Sequence, residues 1–163
     1  MQLAGLPPVI DERARVLILG SFPSAASLAA QQYYAHRQNQ FWRVLAAILG
    51  QPLPEMDYAA KLAAVKAAGL AIWDVYGACS REGSLDSAIR DAVPNDFARL
   101  KKNAPLLRRI CFNGKTAGRF VRQVEALGCE TCILPSTSPA NAGLDFEAKL
   151  ALWREGLSPL AVS

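Results

Sequence analysis

VLILGSFPS, residues 16–24, is the stretch on which the fold turns. VLILG is a short apolar run ending in glycine, and such a run reads as a buried strand. GSFPS follows as a turn, and Ser24 is placed to cap a short helix through about Gln32. Further along, FWRVLAAILG (41–50) puts Phe41, Leu45 and Ile48 on one helical face, with Gly50 as the stop. DYAAKLAAVKAAGL (57–70) is predicted to be a helix ending at Gly69, and LAIWDVY (70–76) a second strand. CSREGSLDSAIRDAVPND (79–96) is polar and loop-like, with room for one helical turn, and Asn95 is placed to cap a helix through Lys102. RRICFN (108–113) reads as a third strand, and KTAGRFVRQVEALG (115–128) as a helix stopped by Gly128. ETCILP (130–135) is a fourth strand, and LDFEAKLALWREGL (144–157) a closing helix.

Strands thus alternate with helices, and each strand is a continuous apolar run. That pattern belongs to an α/β fold with a parallel sheet covered on both faces. Ligands in such folds bind outside the carboxyl ends of the strands. Three of the four predicted strand ends carry unusual polar sequence: GSFPS, NGK (113–115) and PSTSPAN (135–141). Their convergence is the strongest sign of a site.

The totals set the frame. A chain of 163 residues, 52% apolar, suits one domain over 1–163 with a sizeable core and excludes a disordered tail. No apolar run reaches transmembrane length. MQLAGLPPVIDER lacks the basic region and apolar run of a signal peptide, so a cytoplasmic location is expected. Lys and Arg exceed Asp and Glu by four, which permits nucleic-acid binding without requiring it. Cys129 and Cys132 form a CxxC, but metal or iron–sulfur binding needs more ligands at tight spacing. With Cys79 and Cys111 they read as buried free thiols in a reducing compartment.

NGKT (113–116) invites a phosphate-loop reading, which needs a glycine five residues before Gly114; position 109 is arginine. An ordinary strand-to-helix turn and an Asn113 amide projecting from the strand end both remain open. A carboxamide carries donors and an acceptor on one plane and can pair with a heterocycle edge that carries both. PSTSPAN has three hydroxyls, two prolines and an amide; without a GxSxG elbow it reads as a rigid, hydroxyl-lined loop for phosphate or sugar rather than a serine hydrolase. YYAHRQNQFW (33–42) holds the chain's single histidine, His36, which reads first as part of a polar surface turn. Its aromatics read either as core or as a stacking surface.

Together, GSFPS, YYAHRQNQFW, ICFNGK and LPSTSPAN resemble the uracil-DNA glycosylase superfamily, and most closely its hypoxanthine-DNA (deoxyinosine) glycosylase family. WDVYGACSREGSLDSAIRD (73–91) is similar to that family's middle segment. The resemblance implies a three-layer α/β/α sandwich around a four-stranded parallel sheet. It implies hydrolysis of the N-glycosidic bond of a deaminated base in double-stranded DNA, by a monomer associated with the nucleoid. No metal or organic cofactor is implied. At the third position of the first motif, relatives place an Asp or Asn that positions water; here Phe22 stands there and argues against efficient uracil excision. Asn39 then resembles the family's catalytic asparagine, Phe41 the aromatic that stacks on the flipped base, and Asn113 the residue that reads the base edge, with Phe22 and Tyr34 as further lining. Ser136, Thr137 and Ser138 occupy the second motif, where some relatives carry a catalytic histidine. Many relatives read His-Pro before the asparagine, where this chain has His36-Arg37.

The implied mechanism flips the base from the duplex at a cost of about a few kcal/mol. Ser24, Ser136, Thr137, Ser138 and Asn141 line the DNA path, with Arg37 and Lys115 adding long-range attraction. A residue between Ala140 and Leu144 fills the vacated stack. Asn39 orients water through its carbonyl oxygen, and donors around Asn113 stabilise the leaving base. The competing readings are a uracil, mismatch or xanthine glycosylase of the same fold, a lyase using Lys115, and a DNA- or nucleotide-binding module without chemistry.

Overall fold

The four apolar runs pair as one parallel sheet. The computed structural model describes residues 1–139 and 143–161. In chain order the elements are β1 (Leu3–Ala4), β2 (Val16–Gly20), α1 (Ala25–Ala30), α2 (Phe41–Leu49), α3 (Tyr58–Ala67), β3 (Leu70–Asp74), β4 (Tyr76–Ser80) and β5 (Arg90–Pro94). There follow α4 (Leu100–Asn103), β6 (Arg109–Asn113), α5 (Lys115–Gly118), α6 (Val121–Glu125), β7 (Glu130–Leu134) and α7 (Phe146–Gly156). The main sheet has the order β3-β2-β6-β7. Its register sets Gly20 beside Asp74 and Asn113 beside Leu134, and pairs Leu19 with Phe112 one step earlier. The four carboxyl ends therefore form one row.

Alternation along each strand splits the core in two. Val16 and Ile18 of β2, with Leu70 and Ile72 of β3, face α2, α3 and α7, where Phe41, Val44, Leu45 and Trp153 are buried. Leu17 and Leu19, with Ile110 and Phe112 of β6, face α4, α5 and α6. This is the expected three-layer α/β/α arrangement. By the same alternation Gly20, Asp74 and Asn113 point to the α2 and α7 side.

Helix boundaries follow local chemistry. Ser24 caps α1, its hydroxyl accepting from Ser27 N–H, and Gln31 ends the helix in the left-handed region. Asp57 and Asp145 cap α3 and α7 in the same way. Gly50 ends α2 at φ 67°.

The structure corrects four expectations. The 79–96 segment is not mainly loop. It holds part of β4, a 3-10 turn at Asp86–Ala88 and β5, and with β1 these strands form an antiparallel sheet of order β1-β4-β5. β5 is largely exposed and is held by backbone pairing, so it carries no apolar alternation. The run 70–76 is divided at Val75 between β3 and β4. Asn95 caps nothing: its Nδ2 donates to the Asp74 carbonyl at 2.8 Å, and α4 is a single turn that begins at Leu100. The 115–128 helix breaks into α5 and α6. At the break Gly118 lies so close to β7 that a Cβ there would be 2.7 Å from Ile133 Cδ1.

All four cysteines are free. Cys129 and Cys132 face opposite cores, and Cys132 Sγ instead meets Cys111 Sγ at 3.0 Å across the sheet. Among the described residues no helix is long and apolar enough to cross a membrane, and no group of three or more His, Cys, Asp or Glu could hold a metal.

Candidate active site

A cleft of about 710 Å³ opens over the row of strand ends. Gly20, Asp74 and Asn113 lie along its floor. GSFPS, the loop before α2, the 84–87 turn and residues 135–138 make its walls. Gly20 allows the floor to close: a Cβ there would lie 2.6 Å from Asp74 Oδ1 and 3.0 Å from Tyr34 Oη. The 84–87 turn docks on GSFPS, with Ser21 Oγ donating to Asp86 Oδ1 at 2.6 Å and Ala25 N–H to Ser84 Oγ at 2.9 Å.

Asn113 is clamped. Its Nδ2 donates to Thr137 Oγ1 at 3.0 Å and to Tyr34 Oη at 3.3 Å, and its Oδ1 accepts from Thr137 N–H at 3.0 Å. Both amide hydrogens are thereby used, while Oδ1 keeps one lone pair. Gly114, at φ 100°, lets the next loop approach: a Cβ would sit 3.1 Å from Ser136 Cβ.

The loop before α2 is built from its own polar groups. Asn39 N–H donates to the His36 carbonyl, and Asn39 Oδ1 accepts from Phe41 N–H at 2.9 Å. His36 Nδ1 accepts from Gln38 N–H, which leaves the histidine a turn former. Gln40 N–H donates to the Thr137 carbonyl at 3.0 Å, and Gln40 Oε1 accepts from Lys149 Nζ at 2.8 Å. Lys149 is 1% exposed, and burial lowers its affinity for a proton. One glutamine thus joins α2, the 135–138 loop and α7.

The aromatics divide differently from expectation. Phe41 is fully buried and does not line the cleft. Tyr34 stacks on it, so Phe41 does not offer that face to a ligand; Phe22, Tyr33 and Tyr34 are the aromatic residues that line the cleft. Tyr34 holds φ 54°, a left-handed conformation uncommon for a bulky side chain. The Arg81 guanidinium lies over the Phe22 ring at 5.2 Å and donates to the Pro23 carbonyl at 2.6 Å.

The hydroxyl residues also separate. Ser24, Ser136, Ser138 and the exposed Lys115 line the cleft. Thr137 is fully buried with its amide, carbonyl and hydroxyl all engaged, so it orders the site rather than presenting itself to a DNA backbone. Arg37 is exposed on the loop before α2 and does not line the cleft. Asn141 lies outside the described residues. Two leucines stand out at the cleft: Leu85 is 59% exposed and Leu144 41%.

Asp74 is the strongest electrostatic feature. It is 5% exposed, and its Oδ2 is buried without a hydrogen-bond partner. Burial first and the Asp86 charge second push its carboxyl up to about 7, while Arg81 pulls it down. Burial, then Asp74, also raise the Tyr34 phenol, against the hydrogen bond from Asn113.

Residues 7–155 match the profile of the Uracil DNA glycosylase superfamily. The chain belongs to the uracil DNA glycosylase superfamily. It is 47% identical over 137 residues to the hypoxanthine DNA glycosylase of Methanosarcina acetivorans, covering 84% of this chain and 87% of the relative. It is 45% identical over 141 residues to the hypoxanthine DNA glycosylase of Methanosarcina barkeri, covering 86% and 89%. A solution NMR structure of a candidate uracil DNA glycosylase from Methanosarcina acetivorans superposes with a TM-score of 0.89 at 42% identity, covering 99% of both chains.

For a member of the uracil DNA glycosylase superfamily, this chain holds polar groups that sequence reasoning missed, two of them lining the cleft. Asp74 lies inside the apolar run LAIWDVY, which conceals the end of β3 on which it stands. Asp86 carried no signal, because the turn that brings it to Ser21 joins strands that pattern does not reveal. Lys149 sits on the buried face of α7, where a lysine in an apolar helix pattern marks a partnered cation.

Proposed function

We propose that the protein is a monofunctional DNA glycosylase that hydrolyses the N-glycosidic bond of hypoxanthine in double-stranded DNA, as one domain acting as a monomer at the nucleoid. The single observation that carries this reading is the meeting of Asn39 and Asn113 in one cleft at the carboxyl ends of a parallel sheet. The names of two relatives at 45–47% identity support it.

The roles follow from the free valences. Asn39 Oδ1 spends one lone pair on Phe41 N–H, and its second can accept from a water. An amide is a weak base, so Asn39 positions that water rather than deprotonating it. A cation-like sugar needs little more from its nucleophile. The free lone pair of Asn113 Oδ1 accepts the N1–H of hypoxanthine, a donor that adenine lacks. Because Asn113 is locked by Thr137 and Tyr34, it meets the base without losing further freedom. Tyr34 and Phe22 supply the apolar walls. Leu144 fills the gap left by the flipped nucleotide, and Lys115 with the hydroxyls of Ser24, Ser136 and Ser138 meets the phosphates.

The test uses duplexes carrying deoxyinosine, deoxyuridine or deoxyxanthosine, with alkali to reveal abasic sites and an untreated sample to reveal nicking. Release is expected from deoxyinosine, with strands intact until alkali is added. Preference for deoxyuridine would replace hypoxanthine as the substrate. Nicking without alkali would bring in a lyase, with Lys115 as its amine. No product from any duplex would leave a binding module without chemistry.

A further inference from the structure

Asp74 is a titratable group on the cleft floor that the hydrolysis described above leaves unused. It ends β3 beside Gly20 on the cleft floor, nearly sealed from solvent, with Oδ2 unpartnered. A buried carboxyl oxygen without a partner costs stability and calls for a reason. On the other side of Gly20, both amide hydrogens of Asn113 are committed to Tyr34 and Thr137. The side-chain amide that would have neutralised the departing base is therefore spent. A purine leaving without a proton carries a full negative charge, which a nearby donor must offset.

We propose that the Asp74 carboxyl is the general acid of this cleft and delivers a proton to the departing purine. As the C1′–N9 bond breaks, its electron pair goes to the base and the Asp74 proton moves to a purine acceptor atom. The water held at Asn39 adds its oxygen to C1′, and its spare proton returns to the Asp74 carboxylate through solvent. The products are an abasic sugar and neutral hypoxanthine, with no further reactant consumed. The inference rests on the hydrolytic reading above.

The surroundings suit this work. The charged and titratable groups facing Asp74 are Asp86 from the 3-10 turn, Arg81 from the end of β4, and Tyr33 and Tyr34 from the loop before α2. Loss of hydration around their hydroxyls raises both phenols, which stay neutral. Burial and the Asp86 carboxylate raise the acid to about 7, so near neutral pH it both holds and releases a proton. A general acid works best when its pKa lies near the working pH.

The test is the single-turnover rate of hypoxanthine release as a function of pH, on the full chain with a deoxyinosine duplex. The wild-type rate is expected to be level in mild acid and to fall as pH rises through about 7. Asp74→Asn should be about 100-fold slower, lack that falling limb, bind the duplex as before and melt no lower. Asp86→Asn removes a neighbouring negative charge and should move the limb to lower pH. A wild-type rate that climbs through this range would assign Asp74 as an anion beside the sugar and overturn the acid role. So would a falling limb that survives in Asp74→Asn, or wild-type speed in that variant. If the wild type releases no hypoxanthine at any pH, the hydrolytic reading falls first and this one with it.

Discussion

Tyr34 lies flat on Phe41, with ring centroids 3.8 Å apart and planes 18° from parallel. The stack seals Phe41 into the core and leaves Tyr34 as the ring on the cleft. It therefore separates a packing residue from a contact residue. Phe41→Ala should cost about 3–5 kcal/mol of stability, seen as a large drop in melting temperature. Tyr34→Gly suits φ 54° and should lose less stability but much of the hypoxanthine-release rate. Equal melting losses with equal excision in the two variants would undo this division.

Asn39 both accepts from Phe41 N–H just ahead of α2 and, in the proposed reaction, holds water. Two substitutions separate the tasks. Asn39→Ala removes the acceptor for Phe41 N–H, which should cost about 1 kcal/mol, and should abolish most single-turnover release while duplex binding survives. Asn39→Asp keeps an acceptor oxygen and should recover the melting temperature. Equal product release by wild type and the alanine variant would remove Asn39 from the mechanism.

The main sheet is legible in the sequence because its strands are buried on both faces and appear as unbroken apolar runs. The same property hides Asp74. In LAIWDVY the apolar residues continue past it, so the end of β3 is not marked, and one of four strand ends passes as structure. β5 is hidden for the opposite reason: it is exposed, and its pairing with β4 rests on backbone groups that side-chain pattern does not record. Asn39 and Asn113 are legible through resemblance, as polar residues at element ends. The roles of Phe41 and Tyr34 are not, because a left-handed backbone at Tyr34 decides which ring faces the cleft.

Thr137 tests whether the locked amide matters. Thr137→Val keeps the backbone bonds to Asn113 and Gln40 but removes the hydroxyl that accepts from Asn113 Nδ2. A buried donor left unsatisfied costs about 1–3 kcal/mol. The amide also becomes freer to turn, so discrimination between deoxyinosine and deoxyadenosine duplexes should weaken. Unchanged stability and unchanged discrimination would show that Asn113 is positioned by something else.

Leu144 is 41% exposed at the cleft. If it fills the stack vacated by the base, it matters only where a stack exists. Leu144→Ala should slow release from a duplex by several-fold and leave release from single-stranded DNA nearly unchanged, with no loss of stability. A parallel loss on both substrates would place Leu144 in the pocket instead of at the stack.

Asp74 also makes a prediction that needs no substrate. Its carboxyl titrates near 3.8 when unfolded and is pushed up to about 7 when folded. Between those values the folded protein binds the extra proton, so the Asp74 contribution to stability falls as pH rises through this window. Below it both states are protonated, and above it the buried charge imposes its full cost. Asp74→Asn removes the charge and keeps the shape. The variant should therefore gain on wild type as pH rises, by a few kcal/mol at pH near 8 and by little at pH near 4. Chemical denaturation at the two pH values measures the difference directly. A constant gap between wild type and Asp74→Asn would mean that the carboxyl is ionised, and stabilised, throughout.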